Sequence, residues 1–149
     1  MMDKINKRID IIINNSSSID EKLLKICQLL KNEIDGFDWV GFYFQDNEQQ
    51  ILNLGPYAGA ATEHTKIPFG KGICGQVAVS NKTFISQDVA AEDNYLACSI
   101  DTQSEIVVPI FKNGVNIGQI DIDSHQKNAI SQEKIALLEN LTKKISAIL

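Results

Sequence analysis

The residues in this chain best suited to chemistry at neutral pH are cysteines and carboxylates, and they cluster in three stretches. Cys74 sits in "GKGICG" and Cys98 in "EDNYLACSIDTQSE", while "IGQIDIDS" places Asp121 and Asp123 two residues apart. Cys74 falls in the first turn of an expected helix, among glycines that allow close approach of a backbone or ligand. There the helix dipole favours the thiolate. Packing against a sheet as a small apolar residue is the other reading of the same position. Cys98 lies in a polar stretch without periodicity, which reads as a loop. A cysteine there is either reactive or a buried anchor beside Leu96 and Ile100.

The two aspartates raise a question of their own. Apolar residues alternate through "IGQIDIDS" as in a β-strand, so Asp121 and Asp123 share one face and Ile120 and Ile122 the other. Aspartate is depleted in strands, and neighbouring carboxylates repel. The acid face is therefore either solvated or the wall of a pocket.

The elements that must position these groups follow from patterning. The first 34 residues read as helical, with a capping box at Ser18 and Glu21 and an apolar stripe of Leu23, Cys27, Leu30 and Ile34. Cys27, on that stripe, reads as a buried structural thiol. Beyond Gly36 the period becomes two: "DWVGFYF" and "QILNLG" form a strand pair, with Trp39 and Tyr43 on one face. Pro68 and nearby glycines mark a turn into a short helix from about Ile73. "EIVVPIFK" and "VNIGQIDIDS" flank Asn113-Gly114, a strong hairpin signal. Ser131 caps a last helix whose apolar side carries Ile135, Leu138, Thr142, Ile145 and Leu149. The sum is an α+β domain with an antiparallel sheet.

Composition narrows the function. The 149 residues suit one domain, 1–149, with a single substantial core. A net charge of −5 argues against nucleic acid or an anionic membrane as partner. The longest N-terminal apolar run, Ile11 to Ile13, is too short for a signal-peptide core or a membrane span, so a cytoplasmic location is expected. Three cysteines and two histidines without metal-ligand spacing imply neither a disulfide framework nor a metal site. "GKG" lacks the remainder of a phosphate-loop pattern.

The words "DWVGFYF", "LGPYAG", "IPFGKGICG", "ACSIDTQSEIVVPI" and "GQIDIDS", in this order and spacing, resemble the free methionine-(R)-sulfoxide reductases, which are built on a GAF domain. The resemblance extends from about Asp38 to Ser124 and implies a GAF-like central antiparallel sheet with the N- and C-terminal helices packed on one side. It further implies that free L-methionine-(R)-S-oxide is reduced by cysteine chemistry, with thioredoxin restoring the thiols and no metal or organic cofactor. Cys98 matches the nucleophile and Cys74 one of two cysteines that can resolve it. Glu105, Asp121 and Asp123 match the acids around the substrate, and Trp39 and Tyr43 the aromatic pocket wall. One position departs from the pattern: the family commonly has a further cysteine where this chain has His64. The alternatives are a non-catalytic GAF module that binds a small ligand, and a thiol redox sensor. The terminal helices carry apolar stripes that can pair two copies into a homodimer.

Three acids around one pocket also impose a condition on register. A two-residue loop at Asn113-Gly114 pairs Lys112 with Val115 and, if regular, sets Glu105 opposite Ile122, away from the aspartates. The arrangement therefore requires a three-residue loop, a β-bulge, or a Glu105 lying just before the strand.

Overall fold

A computed structural model describes residues 2–93, 95 and 101–149. Two helices open the chain, α1 (Met2–Asn14) and α2 (Ile19–Glu33). Ser18 Oγ accepts the Glu21 N–H at 3.2 Å, which is the Ser18 half of the expected capping box. Strands β1 (Trp39–Asp46) and β2 (Ile51–Ala58) follow, joined by a turn in which Asp46 Oδ1 accepts the N–H groups of Glu48 and Gln49. Next come β3 (Lys66–Pro68), α3 (Gly72–Ser80), β4 (Phe84–Ser86) and a single 3-10 turn (Val89–Ala91). Strands β5 (Ser104–Lys112) and β6 (Val115–Ser124) form the hairpin, and α4 (Gln132–Ser146) closes the fold. Ser131 Oγ caps α4 by accepting the Lys134 N–H. No helix among the described residues is long and apolar enough to cross a membrane.

The six strands form one antiparallel sheet in the order β3-β2-β1-β6-β5-β4. Alternation divides it into two faces. Val40, Phe42, Ile106, Val108, Ile110, Ile120 and Ile122 point to one side and pack with Ile9, Leu23, Ile26, Leu30, Leu138, Leu141 and Ile145 of α1, α2 and α4. The expected placement of both terminal helices on one side is met. The opposite face carries a smaller cluster in which Trp39, Tyr43 and Val107 meet Ile73, Cys74, Val77 and Ala78 of α3. The sheet is thus covered on both sides, and the acid face lies under α3.

The short strands β3 and β4 were not expected, because three residues are too few to show alternation. The hairpin keeps its two-residue turn: Asn113 and Gly114 both have positive φ, and Lys112 pairs with Val115. Phe111 then pairs with Asn116 but Ile110 with Gly118, so Ile117 is an extra residue in β6. This β-bulge reverses the parity of the rest of the hairpin.

Candidate active site

The bulge decides which side chains meet. Beyond it Glu105 pairs with Asp123 and Val107 with Asp121. Asp123 in turn pairs with Trp39, Asp121 with Gly41 and Gln119 with Tyr43, and on the other side Glu105 pairs with Ser86. Directly opposed residues share a face. Trp39, Asp123, Glu105 and Ser86 therefore form one row across four strands. The next row contains Gly41, Asp121, Val107 and Phe84.

The acid face is not solvated. Asp121 is 0% exposed, Asp123 1% and Glu105 2%. Glu105 shares hydrogen bonds with both aspartates. Three carboxyls this close cannot all ionise in a water-excluded site. Burial first, and the Asp121 and Asp123 charges second, hold the Glu105 carboxyl well above the usual carboxylate range. Burial also raises Asp121, although hydrogen bonds from Glu105, Cys74 and Asp123 favour its charged form. The outcome is a Glu105 carboxyl biased towards its protonated form beside two further buried acids.

Cys74 joins this group from the other side. It lies in the first turn of α3, where sequence had put it, and is buried. Its thiol donates to Asp121 Oδ2 at 3.3 Å, and its carbonyl accepts from Gln119 Nε2 at 3.1 Å. Two residues of β6, both on the acid face, thus hold Cys74 at its thiol and its backbone. Donor atoms of Cys74, Glu105 and Asp121 lie within 4.8 Å of one another.

The aromatic residues build a wall. The Trp39 indole stacks between Tyr57, at 5.5 Å, and Tyr43, at 6.5 Å. It folds back over Gly41, where a Cβ would come within 2.3 Å of the ring. Trp39 Nε1 donates to the Ala60 carbonyl at 3.0 Å and the Tyr43 hydroxyl to the His64 carbonyl at 2.9 Å. Both aromatics thereby pin the segment from 60 to 64. His64 contributes its backbone to this wall and is itself half-buried. A cleft of about 600 Å³, lined partly by Asp38, Tyr57, Gly59, Asp101 and His125, reaches Trp39 as well.

Of the residues singled out by sequence, Trp39, Tyr43, Cys74, Glu105, Asp121 and Asp123 share this face. Cys98 lies outside the described residues. Cys27 is remote from the acids: fully buried on α2, its thiol points to the Pro56 carbonyl at 3.6 Å, and burial raises its pKa strongly. Sequence reasoning missed Gly41, Tyr57, Ser86 and Gln119. The aromatic content of "GPYAG" was a signal for Tyr57, but Ser86 and Gln119 acquire meaning only through strand pairing. Tyr95 is a further addition, its hydroxyl pKa pushed up by burial and then by the Glu105 charge.

A family model described as a GAF domain matches residues 16–149. The free methionine-R-sulfoxide reductase of Saccharomyces cerevisiae is 37% identical over 136 residues, which cover 90% of this chain and 72% of that protein. Protein YtsP of Bacillus subtilis is 39% identical over 104 residues, covering 70% of this chain and only 63% of YtsP. Among solved structures, the free methionine-R-sulfoxide reductase of Neisseria meningitidis in complex with its substrate superposes with a TM-score of 0.91 at 32% identity. That match covers 98% of this chain and 86% of the other.

Proposed function

The chain belongs to the free methionine-R-sulfoxide reductase family of GAF-domain enzymes, and we propose that it reduces free L-methionine-(R)-S-oxide to methionine through Cys98 and Cys74, with thioredoxin as the reductant. The observation that supports this reading best is the buried acid set, in which burial and the neighbouring aspartates bias Glu105 towards its protonated form while the Cys74 thiol meets Asp121 at 3.3 Å.

In this reading the aspartate carboxylates hold the ammonium of the amino acid, and Trp39 and Tyr43 enclose its apolar chain. A methionine sulfoxide inside a polypeptide lacks that ammonium and is excluded. The Cys98 thiolate attacks the sulfoxide sulfur and Glu105 protonates the oxygen of the adduct; the oxygen then passes to the Cys98 sulfur as the S–O bond and the new S–S bond both break, releasing methionine. The oxygen ends on Cys98 as a sulfenic acid: the sulfoxide gains two electrons and the thiol loses them. Attack by the Cys74 thiol then forms a disulfide and expels the oxygen, with a second proton, as water. The thioredoxin dithiol reduces that disulfide by exchange. With His64 in place of the further cysteine, Cys74 carries the resolving step. Residues 1–149 act here as one GAF unit. A homodimer paired through the terminal helices belongs to the same reading, Ile11 of α1 being 69% exposed.

The test is consumption of free L-methionine-(R)-S-oxide by wild type, Cys98→Ser and Cys74→Ser. Each is assayed with dithiothreitol alone and with thioredoxin, its reductase and NADPH. Cys98→Ser is expected to lose turnover under both conditions. Cys74→Ser is expected to keep it with dithiothreitol and lose it with thioredoxin. A reduced wild type that consumes no sulfoxide under either condition would sink the proposal and leave a ligand-binding module.

A further inference from the structure

Ser86 stands in the same row as the acids but has no part in the chemistry above. It is 2% exposed, and its Oγ, though buried, meets no hydrogen-bond partner among the described residues. A buried hydroxyl left unpaired is disfavoured by about 1–3 kcal/mol, so such groups call for a reason. Alanine or valine would fill this strand position without that penalty.

Register supplies the reason. The row runs Trp39, Asp123, Glu105, Ser86, so Ser86 lies on the side of Glu105 away from Asp123. The positive end of a zwitterion belongs with the aspartates. A group beyond the neutral Glu105 faces whatever Glu105 protonates. Tyr95, which shares a hydrogen bond with Thr102, lies close enough to interact with Glu105.

From this placement we infer that Ser86 Oγ is a hydrogen-bond donor to the sulfoxide oxygen, sharing that atom with the Glu105 carboxyl. The inference rests on the reductase reading and extends it by one substrate contact. A sulfoxide oxygen has lone pairs for two donors and carries partial negative charge, which grows until Glu105 delivers its proton. A serine O–H does not transfer its proton. It stabilises the oxygen through the transition state, as a donor in an oxyanion hole does.

The inference has an unusual signature, because the hydroxyl has no structural partner to lose. Ser86→Ala is expected to unfold at the same or higher urea concentration than wild type, while kcat/KM for the sulfoxide falls by about 10²-fold. Ser86→Thr, which keeps the hydroxyl, is expected to recover most of the rate. In a Cys98→Ser background, calorimetry should show Ser86→Ala weakening methionine sulfoxide but leaving methionine, which lacks the oxygen, unchanged. Equal loss of affinity for both ligands would overturn the inference, as would an unchanged kcat/KM or a destabilised Ser86→Ala. Wild type that turns over normally beside an unaffected Ser86→Ala removes this contact alone. Wild type without turnover removes the reductase reading and this contact with it.

Discussion

Glu105 of β5 stands directly opposite Asp123 of β6, and it does so because Ile117 adds one residue to β6 between the turn and the acids. Without that bulge Glu105 would face Ile122 and enter the apolar core. Asn116 holds the bulge: its Oδ1 accepts the Gly118 N–H at 3.1 Å, its Nδ2 donates to Asn81 Oδ1 at 3.1 Å, and its carbonyl accepts from Asn47 Nδ2 at 3.2 Å. Asn116→Ala removes two of these three bonds at a buried position. It is expected to lower stability by about 1–3 kcal/mol, read as a lower urea midpoint at unchanged slope. An unchanged midpoint would mean that the strand pairing alone holds the bulge.

Glu105 also couples stability to pH. Its folded-state pKa lies well above its ordinary 4.5, and Asp121 is raised from 3.8. Across that window the native state binds more protons than the unfolded chain. The stabilisation is therefore complete below the unfolded pKa and is lost as pH rises through the folded one. Urea midpoints of wild type should fall as pH rises above the ordinary carboxylate range. Glu105→Gln, neutral throughout, should flatten that slope, and it should lower kcat by about 10²–10⁴-fold because an amide has no proton to give. A slope identical in wild type and Glu105→Gln would place the proton uptake elsewhere.

Much of this frame was legible beforehand. Caps at Ser18 and Ser131 and the Asn113-Gly114 turn are local signals, written within three or four residues. The alternation of Ile120, Asp121, Ile122 and Asp123 fixed which side chains share a face. Parity then showed that a regular two-residue hairpin cannot bring Glu105 to the aspartates, and the bulge is one of the three remedies open to it. Other features were closed to local reasoning. The Cys74–Asp121 contact joins residues 47 apart, and α3 is apolar on nearly all sides, so no stripe announced which face it covers. The three-residue strand β4 has no pattern of its own, yet it carries Ser86 into the acid row.

Gly41 is expected to tolerate no side chain. A Cβ there would lie 2.3 Å from Trp39 Cη2 and 2.9 Å from Tyr57 Cβ, neither of which is the free end of a flexible chain. Gly41→Ala must push the indole off its stack, with a loss of about 1–3 kcal/mol as in other overpacked cores. Trp39 is the chain's one tryptophan, so intrinsic fluorescence reports its surroundings directly. The emission maximum should shift in Gly41→Ala. An unmoved maximum with full stability would mean that the strand, rather than the ring, gives way.

Cys27 offers the contrast that separates a structural thiol from a reactive one. It is 0% exposed, burial disfavours its thiolate, and α2 holds it against the Pro56 carbonyl. A thiol reacts as its thiolate and only where reagent can reach it. Iodoacetamide labelling of Cys27 in the native protein should therefore wait on opening of the fold, its rate rising with urea in step with global unfolding. Cys27→Ala should leave sulfoxide turnover unchanged with either reductant, while losing about 1 kcal/mol or more of stability from the packing it removes. Rapid native labelling of Cys27, or loss of thioredoxin-dependent turnover in Cys27→Ala, would make it a participant in recycling and displace Cys74 as the sole resolving thiol.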